Sequence, residues 1–306
     1  MKISIIGAGN IGGLTAMRLA ELGAGEVVLI DIVKNLAQGK ALDLEDARGI
    51  SRNNYIILAA EDIKGIKNSD IVVITAGLTR KPGMSRADLL AKNAQIVKDI
   101  CLNIKENAAG AIVIVVSNPL DLMTYLALKV TGFKPSRILG MSAILDAARF
   151  ANLISQELNI PVSQIEPVVI GEHGEGMLPL SRFTNINGLP LDKFTDAQTI
   201  ELLIKRTKAR GAEIVSLLGS TSAYFAPSAA ITQIVRAIIK DEKRILGISA
   251  YLNGEYGIKG ICIGCPCRIG REGIEQIIEL DLSEQEKKVL LQSAESIRNL
   301  TKQLTD

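Results

Sequence analysis

One histidine in 306 residues is a scarce acid–base group, and His173 sits where such a group is useful. It lies in Gly171-Glu172-His173-Gly174, directly after the apolar run Val168-Val169-Ile170, where a strand gives way to a loop. The ordinary pKa of imidazole lies near neutral pH, so it can take a proton and return it. Asp146 and Arg149 stand three residues apart in LDAARF, a stretch of helical periodicity, and so share one helix face. On spacing alone that pair reads as a surface salt bridge of little worth, and a lone histidine is more often structural than chemical. A second pattern is independent of the first. Gly7-Ala8-Gly9-Asn10-Ile11-Gly12 follows the first apolar strand and opens a helix. In such a turn the first glycine permits the bend, the second lets backbone approach a pyrophosphate, and the third lets helix pack on strand. The helix beyond offers unpaired N–H groups and a positive dipole end to phosphates. Glycines also serve ordinary turns, but here Asp31 closes the second strand nineteen residues beyond Gly12. A carboxylate there accepts hydrogen bonds from adenosine ribose hydroxyls and repels a 2′-phosphate, which points to NAD rather than NADP.

The elements that must position these groups alternate in type. Residues 2–6, 26–31, 55–59, 71–76 and 111–117 are short, β-branched apolar runs separated by helical patterns. Near-continuous apolar strands alternating with helices predict an α/β fold: a Rossmann-like doubly wound parallel sheet covered on both faces. We place this NAD-binding domain at 1–143 and a C-terminal α+β substrate domain at 144–306. The second half predicts helices over 143–158, 195–218 and beyond Pro227, with antiparallel strands joined by glycine turns in YLNGEYGIKGICIGCPCRIG. Ser283-Glu-Gln-Glu286 matches a capping box that opens a last helix reaching about Gln303. No free linker separates the halves, so close packing between them is expected.

Composition bounds the partners. With 35 basic and 33 acidic residues the net charge is +2, and no excess field points to nucleic acid or membrane. The chain is 47% hydrophobic and 22% charged, and its mean hydropathy of +0.25 fits a large core or a subunit interface. The start runs straight into glycines without a signal-like apolar stretch, and no segment approaches the ~20 apolar residues of a membrane helix. A cytoplasmic protein is expected. Cys262, Cys265 and Cys267 crowd one segment, but Cys101 is remote in sequence and zinc or a cluster needs a fourth ligand. We read them as core residues of a strand and predict no metal site.

GAGNIG with Asp31, TAGLTRKPGMSR, SNP, LDAARF and GEHG occur in the order and at the separations of the lactate/malate dehydrogenase family. The chain resembles that family over nearly its whole length, and most resembles its malate-type members built like the lactate enzymes. The resemblance implies reversible oxidation of malate to oxaloacetate, a tricarboxylic acid cycle reaction, in a homotetramer or dimer. It implies that His173 takes the hydroxyl proton while hydride leaves the same carbon. Asp146 would hold the imidazole tautomer and stabilise the imidazolium, as carboxylates do in hydrolase triads. Arg149 would grip the substrate's C1 carboxylate with a two-pronged hydrogen bond. Arg86 would polarise the reacting oxygen, and Asn118 would bond that oxygen or the nicotinamide ribose. Cofactor contacts would come from Gly7, Gly9, Asn10, Ile11, Gly12, Asp31, Thr75, Ala76, Gly77, Asn93, Val116 and Asn118.

Arg80 carries the substrate reading. Lactate-specific relatives have glutamine at this position and malate-type relatives have arginine. The physics agrees, because a buried second carboxylate needs a cation while a methyl beside a dry arginine leaves a charge unpaired. A bare reading of Thr-Arg-Lys-Pro-Gly is a solvated basic loop. Three rivals are weighed: a lactate dehydrogenase, a NAD-dependent glycosidase and a NAD-sensing module. The glycosidase needs a metal held by cysteine and histidine, and no cysteine lies near His173 in sequence. The sensing module gives no reason to keep His173, Asp146 and three arginines together.

Overall fold

Ile71–Ile74 and Ile112–Val115 bury every residue they contain. Strands of that kind need apolar cover on both faces, which a parallel sheet with crossover helices supplies. The computed structural model of the chain, which describes residues 1–78 and 86–305, has this arrangement in its first half. Its strands are β1 (Lys2–Ile6), β2 (Glu26–Ile30), β3 (Ile56–Ala60), β4 (Ile71–Ile74), β5 (Ile112–Val115) and β6 (Ile138–Gly140). Helices α1 (Asn10–Glu21), α2 (Leu36–Ser51), α3 (Arg86–Asn107) and α4 (Leu120–Thr131) connect them. The spatial order is β3-β2-β1-β4-β5-β6, all parallel. It reverses between β1 and β4, and ligands bind such sheets at that switch point, outside the carboxyl ends of the strands. Strand β1 matches its predicted range, β3 is shifted by one residue, and the runs predicted for β2, β4 and β5 extend beyond their ladders. Asp31, Thr75-Ala76 and Val116-Ser117 lie just past these ladders, at the carboxyl end of the sheet where ligands bind.

The second half comprises α5 (Ala143–Leu158), β7 (Ile165–Glu166), β8 (Val169–Gly171), β9 (Met177–Pro179), β10 (Asn185–Ile186) and β11 (Leu189–Pro190). These are followed by α6 (Ala197–Leu218), α7 (Phe225–Ile239), β12 (Arg244–Asn253), β13 (Lys259–Gly270), β14 (Gly273–Ile277) and α8 (Glu284–Thr305). The expected glycine-turned antiparallel pair is β12–β13, with β14 on its outer side. Helix α7 starts two residues before Pro227, which tolerates the first turn because the N–H it lacks would go unpaired there. The capping box forms as predicted: Glu286 accepts the Ser283 N–H at 2.7 Å and Ser283 accepts the Glu286 N–H at 3.3 Å.

The halves share more than a packed face. Ser249 of β12 pairs with Gly140 of β6, so the parallel sheet continues antiparallel through β12, β13, β8 and β9 as one 11-stranded sheet. One hydrophobic cluster runs from Ile3 through Ile231 and Ile263 to Ile297. Helix α7 lies on α1, where Arg18 Nε donates to Ser228 Oγ at 3.1 Å. Cys262, Cys265 and Cys267 are buried in β13, in keeping with core residues of a strand.

Candidate active site

At the switch point the glycine turn is built almost entirely of main chain. Gly7 takes φ +102°, and its N–H donates to Ile30 O at 2.8 Å. Thr75 ties β4 to the same turn, its hydroxyl donating to Gly7 O at 2.9 Å. A Cβ on Gly12 would stand 1.9 Å from the Gly7 carbonyl oxygen, so only glycine lets α1 start this close. Gly9 is the opposite case. A Cβ there meets no atom within 4 Å, and the space it faces is open to a ligand. Gly9 also supplies no side-chain cap to α1, which leaves the first N–H groups for an anion. Asp31 accepts Ala8 N–H at 2.6 Å and Val33 N–H at 2.8 Å, so its carboxylate braces the turn while each oxygen keeps a lone pair. Lys40 of α2 donates to Gly9 O at 3.0 Å, a contact that spacing alone does not announce. These residues fit a dinucleotide: open space at the second glycine, bare amides at a helix end, and a carboxylate at the end of the neighbouring strand with lone pairs to spare.

The acid–base group lies beyond β8. His173 Nδ1 is 2.7 Å from Asp146 Oδ2, and Arg149 Nη1 is 3.0 Å from Asp146 Oδ1. Asp146 thus faces both partners, from a helix whose apolar residues pack on the sheet. The side chain of Asp146 is 2% exposed, that of Arg149 13% and that of His173 15%. Burial separates this ion pair from the surface bridge that spacing alone suggested. With Nδ1–H given to Asp146, Nε2 is the nitrogen left to exchange a proton. Burial pulls the imidazole pKa down, but the charge and hydrogen bond of Asp146, helped by Asp121, lift it above its ordinary value against Arg149. Arg149 Nε is buried and meets no acceptor among the described residues. A guanidinium held in place with a donor to spare suits an incoming carboxylate. Gly211 of α6 makes room for it, since a Cβ there would lie 3.4 Å from Nη1.

The remaining predicted residues divide. Asn10, Ile11, Thr75, Ala76 and Gly77 line the turn and its flank at the carboxyl ends of β1 and β4, with Val116 and Asn118 at the end of β5. Asn118 is exposed there. Asn93, expected as a cofactor contact, is 1% exposed beneath the site. Its amide is taken up by Leu78 N–H at 2.8 Å and by Asn118 O at 2.8 Å, so it acts as a clamp between two strand ends. Arg86 begins α3, close in sequence to the site, and Arg80 lies outside the described residues. Asp121 was missed. It follows the SNP motif within the apolar stretch Leu120-Asp121-Leu122-Met123, and a carboxylate in that setting was the available signal. It accepts the main-chain N–H of His173 at 2.8 Å. Among the described residues no group of three or more His, Cys, Asp or Glu is arranged to hold a metal.

Residues 1–140 match the sequence model of the lactate/malate dehydrogenase NAD binding domain, and residues 143–306 match that of the lactate/malate dehydrogenase alpha/beta C-terminal domain. The malate dehydrogenase of Methanosarcina mazei is 50% identical over 298 residues, which cover 97% of each chain. Among solved structures, malate dehydrogenase from Cryptosporidium parvum superposes with a TM-score of 0.96 at 39% identity, covering 99% of this chain and 98% of that one. Lactate dehydrogenase from Eimeria maxima with NADH and oxamate also reaches 0.96, at 37% identity, covering 99% of this chain and 94% of that one. Two family models that together span nearly the whole chain, and relatives that match it end to end, show that the chain belongs to the lactate/malate dehydrogenase family.

Proposed function

We propose that the protein is an NAD-dependent malate dehydrogenase, interconverting (S)-malate and oxaloacetate as in the tricarboxylic acid cycle. One observation carries the chemistry: the buried His173–Asp146 contact of 2.7 Å, with Arg149 on the other oxygen of the same carboxylate. When bound, the nicotinamide supplies or accepts the hydride. His173 Nε2 takes the hydroxyl proton during oxidation and returns it during reduction. Asp146 keeps the proton-exchanging nitrogen outward and stabilises the imidazolium once formed. Arg149 grips the C1 carboxylate, Arg86 polarises the reacting oxygen as charge gathers on it, and Asn118 hydrogen-bonds the same oxygen or the nicotinamide ribose. Residues 1–143 hold the cofactor and contribute Arg80, Arg86 and Asn118 to the substrate, while 144–306 carry the acid–base pair and Arg149.

Arg80 decides the substrate. The fold does not, because lactate and malate dehydrogenases superpose on the chain equally well. A guanidinium at this position answers the second carboxylate of oxaloacetate and would sit unpaired beside the methyl of pyruvate. Apolar side chains on the surface, Leu217 at 80% exposure and Phe225 at 63%, support a homo-oligomer, tetramer or dimer, which light scattering on the purified protein would measure. No helix among the described residues is long and apolar enough to cross a membrane.

The decisive experiment follows NADH absorbance with oxaloacetate and with pyruvate. His173→Asn should lower turnover by about 10³-fold or more while NADH still binds. Wild-type-like turnover in that variant overturns the mechanism. Arg80→Gln should cut oxaloacetate turnover by about 10²-fold and raise that of pyruvate, and an unchanged preference overturns the malate reading.

A further inference from the structure

The reaction just described makes no use of Asp121, yet this carboxylate is 4% exposed and both its oxygens are engaged. Oδ2 accepts the main-chain N–H of His173 at 2.8 Å, and Oδ1 accepts the hydroxyl of Ser249 at 2.6 Å. Neither partner is a cation, and a buried carboxylate without one is costly to keep. Two features offset that cost. Asp121 is the second residue of α4, at the positive end of the helix, and two hydrogen bonds replace its lost hydration.

The sheet beneath is shaped to receive it. Gly140, Ser249, Gly264 and Gly171 stand opposite one another in register across β6, β12, β13 and β8. A Cβ on Gly140 would lie 2.4 Å from Thr124 Oγ1 of α4, so the bare backbone is what lets the helix come down onto the sheet. Ser249 alone in this row carries a side chain, and that side chain meets Asp121. The loop bearing His173 is therefore held from three helices. Asp121 of α4 takes its main chain, Asp146 of α5 takes its ring, and Ser293 of α8 accepts the Glu172 N–H at 2.9 Å.

We propose that Asp121 is a positioning residue for proton transfer, fixing the backbone of His173 while Asp146 fixes its ring, and lending its negative charge to the imidazolium. This rests on the acid–base reading of His173 given above. Among the described residues, the charged and titratable groups around the imidazole are Asp146 and Arg149 from α5 and Asp121 from α4, with the buried thiol of Cys262 from β13 behind Asp121. Burial pushes the Asp121 pKa up, while the Ser249 hydroxyl and the His173 N–H pull the other way. Ser249 therefore helps to keep the charge on Asp121.

The test is the pH dependence of kcat/KM in both directions. Asp121→Asn keeps an acceptor for the His173 N–H and removes the charge. The imidazole should lose its proton more readily, so the alkaline fall of oxaloacetate reduction and the acid rise of malate oxidation both move to lower pH, by about half a unit. Ser249→Ala should move both limbs the same way by less. Asp121→Leu, which removes the acceptor, should lower kcat about tenfold with NADH affinity by fluorescence unchanged. Profiles of Asp121→Asn and Ser249→Ala that superimpose on wild type overturn the proposal, as does an Asp121→Leu enzyme with wild-type kcat. If Asp121→Leu does not fold, the other two variants decide. His173→Asn measured alongside separates the levels: if it stays active the acid–base reading falls, and if it is inactive while Asp121→Asn titrates like wild type, only the role of Asp121 falls.

Discussion

At the glycine turn the working atoms are amides and carbonyls, and the side chains that matter are mostly those left out. Gly9 faces open space, Gly12 touches a carbonyl oxygen, and Asp31 braces N–H groups. Around His173 the working atoms are the ends of charged side chains delivered by α4 and α5, and main chain serves mainly as something to hold. The difference lies in what can be lost. A main-chain site is spoiled by adding atoms, because its shape is the absence of a Cβ. A site of buried charges is spoiled by removing them, because each charge is the solvation of the next.

That contrast can be broken by experiment. Arg149→Lys keeps the charge but loses the planar fork, and kcat/KM for oxaloacetate should fall about 10²-fold with NADH affinity intact. Gly12→Ala adds one methyl against the Gly7 carbonyl and should weaken NADH binding at least about tenfold and lower the melting temperature together, since the turn itself must shift. Gly9→Ala should separate those two readouts: affinity weaker by a few-fold to about tenfold, melting temperature unchanged, because the protein offers nothing for the methyl to strike. A Gly9→Ala protein that melts early would show that the two glycines do not differ as described. The raised imidazole pKa sharpens the other side. Malate oxidation needs the neutral ring and should climb with pH through a midpoint above 6.5, while oxaloacetate reduction needs the charged ring and should fall across the same range. The smallest effect belongs to neither site: Ser283→Ala removes the cap of α8 and should cost about 1 kcal/mol in denaturant unfolding without touching kinetics.

Much of the cofactor half could be read from the sequence because its signals are local. Five β-branched runs, a glycine turn and one aspartate at the right separation define β1 to β5 and the crevice. The ladder ends were harder, since Thr75 and Val116 continue β-branched runs, and still bond to the neighbouring strand, one residue past the last paired position. The histidine site was legible only through family resemblance. Asp146 and Arg149 look like a solvated pair until burial is known, and burial comes from packing of α5 that no spacing records. Asp121 and Ser249 are farther out of reach, being 128 residues apart and joined by a single hydrogen bond. The seam between β6 and β12 was unreadable for the same reason, because a three-residue strand such as β6 carries little pattern of its own.

That seam constrains anyone who would exchange parts between relatives. A chimera pairing this cofactor half with a foreign catalytic half must splice a β-ladder, and the joint runs through Gly140. Replace that glycine and its new Cβ runs into Thr124 of α4 and Ser249 of the incoming strand β12. Grafts that ignore it should be recovered as inclusion bodies, with a raw sheet edge on each fragment, whereas grafts that preserve it begin with the two halves already in register.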